Sequence, residues 1–257
     1  MLLLNPDQRA MLKDWFLPDR PSHLVGLHVI HTGNGACFAD RWPNPRAVLV
    51  DTGGNYTFAG DPQVLQPADL RRHIAGFVIA PEPFVPLLRA TFPDLKVWDR
   101  VILGLDVPPR FVLPRDYRVR QLGPADTYSL WGLSPSTNWI GKTWGGPAGL
   151  AASGYAWGAF ADGQLVSVAC TFFVGATYEE VGVVTEPEFR GLGLSGACAG
   201  GLCADIVSRG RRPSWSTSPD NSASIRVAEK LGFAFQRRDY LYVTGIAIPE
   251  PARPATN

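Results

Sequence analysis

The segment Val183–Ser195, V-V-T-E-P-E-F-R-G-L-G-L-S, concentrates residues able to bind an anion. Gly191 and Gly193 let the main chain approach a ligand closely, and a helix opening there leaves the N–H groups of Leu192, Gly193, Leu194 and Ser195 without intrahelical acceptors. Those donors, the positive end of the helix dipole and the Arg190 side chain together suit a diphosphate. No G-K-S or G-K-T accompanies the glycines, which excludes a Walker loop, and no run of βαβ repeats surrounds them. The loop follows an apolar strand, Glu180–Thr185, and opens a helix, Gly193–Arg209, which is where α/β sheets capture phosphates.

The elements around this loop are legible from periodicity and punctuation. Leu194, Ala197, Cys198, Gly201 and Leu202 fall on one helical face, and Asp205 alone breaks the apolar stripe. Asp162-Gly163 is a hairpin signal between strands Gly154–Phe160 and Leu165–Val174. Ser214–Ser218 reads as a strand, Asn221–Leu231 as a helix ended by Gly232, and Phe233–Arg237 and Tyr240–Ile246 as closing strands. Before them stand a strand at Arg118–Leu122, a helix at Pro124–Leu133 and a loop-rich stretch with Trp131, Trp139 and Trp144.

Upstream, strands are predicted at Leu24–Ile30, Ala47–Asp51, Asn55–Ala59, Phe77–Ala80 and Lys96–Leu103, and helices at Pro6–Phe16, Pro67–His73 and Phe84–Thr91. The proline-rich run Val107–Asp116 can carry neither a regular helix nor a central strand. The expectation is a mixed α/β protein of two domains, 1–107 and 117–248, with a linker at 108–116 and a frayed tail at 249–257.

Three motifs, R-G-L-G-L-S, P-S-W-S-T-S and A-E-K-L-G-F, carry a resemblance to the GCN5-related N-acetyltransferase (GNAT) superfamily, in the branch that includes zwittermicin-type self-resistance proteins. The family's coenzyme loop, Q/R-x-x-G-x-G/A, matches at Arg190 and Gly193 and departs at Ser195. The resemblance spans roughly 117–246 and implies a GNAT fold with acetyl-CoA as co-substrate. It assigns main-chain groups of Val183, Val184 and Thr185 to the pantetheine arm, and Arg190, Gly191, Leu192, Gly193, Leu194 and Ser195 to the diphosphate. Asn221 is placed either to reach the pantetheine or simply to cap its helix.

Glu180 and Glu179 are the candidates for the base that deprotonates an amine, and strand alternation favours Glu180. Many family members place an acidic tyrosine where this chain has Ala228, so Tyr242, Tyr240 or Ser216 would have to substitute, or the thiolate would leave unaided. The segment Phe38–Val50 is faintly similar to the first half of glycine N-acyltransferases, which implies a degenerate GNAT-like half that shapes the acceptor cleft or an interface. The activity implied is acetyl transfer to a primary amine of a small molecule. Two alternatives stay open: a non-catalytic coenzyme-binding sensor, and an acyltransferase with a longer acyl donor or a peptide acceptor.

Composition bounds the remaining classes. The 257 residues are 46% hydrophobic and 18% charged, enough apolar material for packed cores. A net charge of +1 offers no field for nucleic acid, and no apolar run is long enough to span a bilayer. Without a signal-peptide pattern the expectation is cytoplasmic, with a small amine as partner and a homodimer allowed for. The four cysteines form no C-x-x-C pair, and His28 and His31, read on a strand, would face opposite sides, so no metal is expected.

Overall fold

A computed structural model describes residues 1–250, so most of the expected tail lies outside the described residues. The chain divides into two compact units, Met1–Asp99 with Val174–Ala176 and Asp239–Glu250, and Arg100–Phe173 with Thr177–Arg238. The proline-rich run expected as a linker falls within the second unit. There the Arg110 N–H donates to the Leu231 carbonyl at 3.0 Å, and the Phe111 ring lies over Gly200, where a Cβ would stand 2.2 Å from it. Proline forbids regular hydrogen bonding along such a stretch but not packing of the apolar residues between the prolines.

The first unit contains β1 (Leu2–Leu3), α1 (Pro6–Ala10), α2 (Leu24–Thr32), β2 (Ala36–Ala39), β3 (Ala47–Thr52), β4 (Asn55–Gly60), α3 (Pro67–Arg71), β5 (Gly76–Ile79) and α4 (Val85–Thr91). Strands β1 to β4 form an antiparallel ladder, and β5 joins β4 in parallel. The β3–β4 turn uses Gly53 and Gly54 at φ 58° and 80°, which only glycine adopts cheaply.

The predicted strand Leu24–Ile30 is instead the helix α2. A short, almost wholly apolar run is compatible with either state, and burial on nearly all sides decides for helix here. Gly26 admits the Phe16 ring, which would lie 2.2 Å from a Cβ, and Gly33 at φ 74° ends the helix. His28 is buried, its Nδ1 accepting the Val174 N–H at 3.1 Å. Among the described residues no group of three His, Cys, Asp or Glu is placed to hold a metal ion.

Strand β6 (Lys96–Gly104) leads into the second unit, which continues with β7 (Arg118–Gln121), α5 (Thr127–Trp131), α6 (Pro147–Ser153), β8 (Ala156–Ala161), β9 (Gln164–Val174) and β10 (Tyr178–Thr185). It closes with α7 (Leu194–Ser208), β11 (Arg212–Thr217) and α8 (Ser222–Leu231), and the last strand, β12 (Ala234–Thr244), begins in this unit, ends in the first and occupies the place of the two predicted closing strands. Within this unit the strands follow the order β6-β11-β10-β9-β8-β7. Asp162 and Gly163 take φ 46° and 83° in the predicted hairpin turn. The core gathers Leu194, Cys198, Leu202 and Ile206 of α7 with Val181, Trp215, Ala228 and Leu231.

All four cysteines are buried and free, and burial pushes the Cys37 and Cys198 thiols up to about 12. No helix among the described residues is long and apolar enough to cross a membrane.

Candidate coenzyme and acetyl-transfer site

The loop between β10 and α7 has the form its sequence predicts. After Arg190 in extended conformation, Gly191 and Gly193 sit at φ 83° and 78°, and α7 begins at Leu194 with no side chain capping its first turn. The first intrahelical bond arrives at the Ala197 N–H, which reaches the Gly193 carbonyl at 3.1 Å. A Cβ built at Gly191, Gly193 or Gly196 meets nothing within 4 Å, so these backbones border open space. A fifteen-residue helix with uncapped amides beside open space can receive phosphate groups. The Arg190 Nε lies 3.4 Å from the Thr185 carbonyl, holding that side chain back against the end of β10.

Gly191, Gly193 and Gly196 also stand at the G-x-G-x-x-G spacing of dinucleotide loops, so spacing alone does not identify the ligand. The neighbouring strands separate the two cases. Strands β10 and β11 are parallel and paired at Tyr178–Arg212, Glu179–Pro213 and Glu180–Ser214. Their ladder ends there, although β10 runs on to Thr185 and β11 to Thr217, where it remains paired with β6. The two strands therefore part just before the loop, leaving an open edge inside the sheet.

The direction of the β10 main chain along that edge follows from its other bonds. The Val184 carbonyl accepts the Ser167 hydroxyl at 2.9 Å, and the Glu186 N–H donates to Val166 at 2.9 Å, so both residues face β9. Alternation turns the amides and carbonyls of Val181, Val183 and Thr185 toward the open edge. Val183 and Thr185 thus stand where an extended ligand arm could pair with them. Val184 does not, and Val181, which the sequence reading passed over, does.

Glu179 and Glu180 have opposite surroundings. Glu179 is fully buried, with both carboxylate oxygens engaged: Arg209 donates at 3.0 and 2.7 Å, Arg211 at 3.0 Å and the Thr171 hydroxyl at 2.6 Å. Desolvation pushes its pKa up, but hydrogen bonds from Arg209, Thr171 and Arg211 outweigh it and hold the carboxyl below its ordinary value. So paired a group binds the end of α7 to the start of β10 and is poorly suited to taking up a proton. Glu180, half-buried, occupies the last position of β10 that pairs with β11 and points to the opposite face, with Gly182 two residues ahead. A Cβ at Gly182 would stand 3.2 Å from Ile140 Cδ1 and from Phe172 Cβ, which locates that face against the Asn138–Trp144 turn and β9.

Asn221 caps α8, its Oδ1 accepting the Ser224 N–H at 3.2 Å, and the Ser224 hydroxyl holds the Trp215 indole N–H at 2.9 Å. Ser216 is tied to Arg100 through its hydroxyl at 3.2 Å and its carbonyl at 2.8 Å. Tyr242 belongs to the first unit, where it partners Val78 and packs on the core of Leu49, Phe58 and Leu70. Tyr240 is exposed. Ala228 is completely buried, so no hydroxyl stands at the position of the family's tyrosine.

Glu186, at the end of β10, is a buried carboxylate with no clear sequence signal. It accepts the Thr137 hydroxyl at 2.5 Å and the Ser134 N–H at 3.0 Å, securing the segment before the Asn138–Trp144 turn to the end of β10.

Comparison with known proteins agrees with this geometry. A family model described as GNAT acetyltransferase matches residues 111–242. An uncharacterized N-acetyltransferase of Streptomyces virginiae is 40% identical over 215 residues, 81% of this chain and 90% of that protein. A GCN5-related N-acetyltransferase-like protein from Streptococcus suis superposes with a TM-score of 0.67 at 19% identity, covering 92% of this chain and 98% of its own. A tandem GNAT protein from the clavulanic acid biosynthesis pathway superposes at 0.57 and 14% identity, covering 96% and 99%. The separated parallel strands, the glycine-bordered helix start and these relatives lead to one conclusion: the chain belongs to the GNAT acetyltransferase family.

Proposed function

We propose that this N-acetyltransferase takes the acetyl group of acetyl-CoA and delivers it to a primary amine of a small molecule within a ternary complex. The observation that carries the reading is the parting of β10 and β11 directly before the uncapped start of α7. Main-chain groups of Val181, Val183 and Thr185 hold the pantetheine arm as an added strand, and amides from Leu192 to Ser195 with Arg190 hold the diphosphate. Acetyl-CoA supplies an activated thioester, whose carbonyl one of the inward N–H groups of β10 polarises.

Glu180 takes the proton from the ammonium through water, because a lysine-like amine with a pKa of about 10.4 is almost wholly protonated at neutral pH. No acid is assigned. A thiol with a pKa of about 8.5 leaves readily as its thiolate, and Asn221 keeps its capping role. The first unit, which lacks a glycine loop of this kind, is a degenerate half that carries no coenzyme.

Thermal stability with saturating acetyl-CoA, CoA or ATP tests the coenzyme site, since a ligand at one hundred times its dissociation constant adds about 2.7 kcal/mol. The two coenzymes alone should raise Tm, and free thiol should then appear with a panel of primary amines. Absence of any shift would overturn the reading. A shift without turnover of any amine would mark a coenzyme-binding module instead.

A further inference from the structure

We infer that the acceptor is an amine carrying an aromatic or bulky apolar group, and that Trp139 with Phe172 selects it. The inference rests on the reading above, in which the amine is acetylated beside Glu180.

Position comes first. Glu180 and Gly182 share one face of β10, and the atoms that a Gly182 Cβ would touch belong to Ile140 and Phe172. Because position 182 is glycine, the Phe172 ring can lie directly over the strand, its Cδ2 3.3 Å from where a Cβ would be. Trp139 stands edge-on to Phe172 with ring centroids 5.5 Å apart, and 36% of its surface is open to solvent. An amine that reached Glu180 would have its body against this pair.

The wall is also held in place. Phe172 stacks edge-on to Phe173 at 4.8 Å. The turn carrying Trp139 is fixed at both ends: the Ile140 carbonyl accepts the Cys170 thiol at 3.6 Å, and the Trp144 indole N–H donates to the Thr171 carbonyl at 2.8 Å. Thr137 and Ser134, just ahead of the turn, are tied to Glu186 at the end of β10. A preorganised aromatic pair binds without ordering itself first, so its contact is expressed as affinity.

Chemistry then chooses the substrate class. Trp139, Ile140, Phe172, Gly182 and Val184 contribute no charged side chain to this face. Apart from Glu180, which receives the amine end, this face offers the body of an acceptor apolar side chains and one indole N–H, so a polyhydroxylated or carboxylated body would lose more water than these groups replace. An aryl or alkyl body loses little water and gains edge-to-face contact with both rings.

The experiment uses the full chain saturated with CoA. Calorimetry gives dissociation constants for 2-phenylethylamine, ethylamine and glucosamine, and thiol release with acetyl-CoA gives kcat/KM for the same amines. The expected result is a preference of tenfold or more for 2-phenylethylamine in both measurements. Trp139→Ala should collapse that ratio to near one, chiefly through KM. Trp139→Phe should restore most of the ratio, which a merely unfolded variant could not do, and a retained coenzyme-induced rise in Tm certifies folding.

Equal or better use of ethylamine or glucosamine overturns the inference while leaving acetyl transfer standing. Preferential binding of 2-phenylethylamine without acetylation of any amine sinks the transfer reading and keeps the aromatic subsite. Neither binding nor turnover of these amines overturns both.

Discussion

Each unit contains a parallel strand pair joined by a crossover that carries a helix, yet the two crossovers begin in contrasting ways. In the first, β4 and β5 pair at Asn55–Phe77, Tyr56–Val78 and Thr57–Ile79, and the Thr57 hydroxyl lies 2.9 Å from both the Ser22 and Ile79 carbonyls. The chain then passes through D-P-Q-V-L-Q-P, where Asp61 caps a short turn, Asp69 accepts the Gln66 N–H at 2.8 Å and Pro67 opens a helix of five residues. In the second, Gly191 and Gly193 lead into fifteen residues of helix with an uncapped first turn. Strand order alone does not make a coenzyme site. The second unit leaves the first-turn amides of α7 open to a ligand, whereas in the first unit the Asp69 carboxylate already engages the Gln66 N–H at the entry to a helix of only five residues.

Placing a large side chain in the open loop should have the largest effect. Gly193→Trp forces a bulky residue into a left-handed backbone and into the space beside the α7 amides, so the rise in Tm with acetyl-CoA should vanish and turnover with it. Asp69→Ala in the first unit, which frees the Gln66 N–H at the entry to α3, should leave coenzyme stoichiometry at one per chain by calorimetry. A second equivalent of coenzyme would show that capping, not architecture, had silenced that half.

Glu180→Gln should lower kcat by roughly 10² to 10⁴ while the coenzyme-induced shift in Tm persists, because only the proton acceptor is removed. Equal turnover in wild type and variant across pH 6–9 would exclude Glu180 as base.

Its neighbour should answer in stability. Glu179→Gln breaks a buried pairing with two arginines and should cost roughly 3 kcal/mol, read from denaturant melts. The pH dependence carries a definite sign. The folded pKa values of Glu179 and Glu186 are depressed, so their stabilisation is complete above the unfolded value of about 4.3 and is lost as pH falls through the folded values. The acid decline in Tm should therefore be shallower in Glu179→Gln than in wild type.

How much of this was legible in the sequence varies with the kind of signal. The β10–loop–α7 segment was readable because glycines, an arginine and a 3.6-residue stripe are local features, and Asp162-Gly163 disclosed its hairpin for the same reason. The run Leu24–Ile30 reads as a strand because burial on nearly all sides erases periodicity, and only tertiary contact such as Phe16 over Gly26 resolves it as part of a helix. The adjacent acids Glu179 and Glu180 were separated only in direction. That Glu179 meets Arg209 and Arg211 depends on where a fifteen-residue helix returns, which no local pattern states. The aromatic pair Trp139–Phe172 was hidden likewise, since its members lie on a turn and on a strand distant in sequence.

The smallest expected effect belongs to Tyr242→Phe. Its ring packs with Leu49, Phe58 and Leu70 in the first unit, and removing one hydroxyl from a half-buried site should change stability by less than about 0.5 kcal/mol. Turnover should stay within twofold, because the position of the family's tyrosine is a buried alanine and the departing thiolate is stable near neutral pH. A tenfold loss in kcat with an altered alkaline limb of the pH profile would make Tyr242 the missing acid.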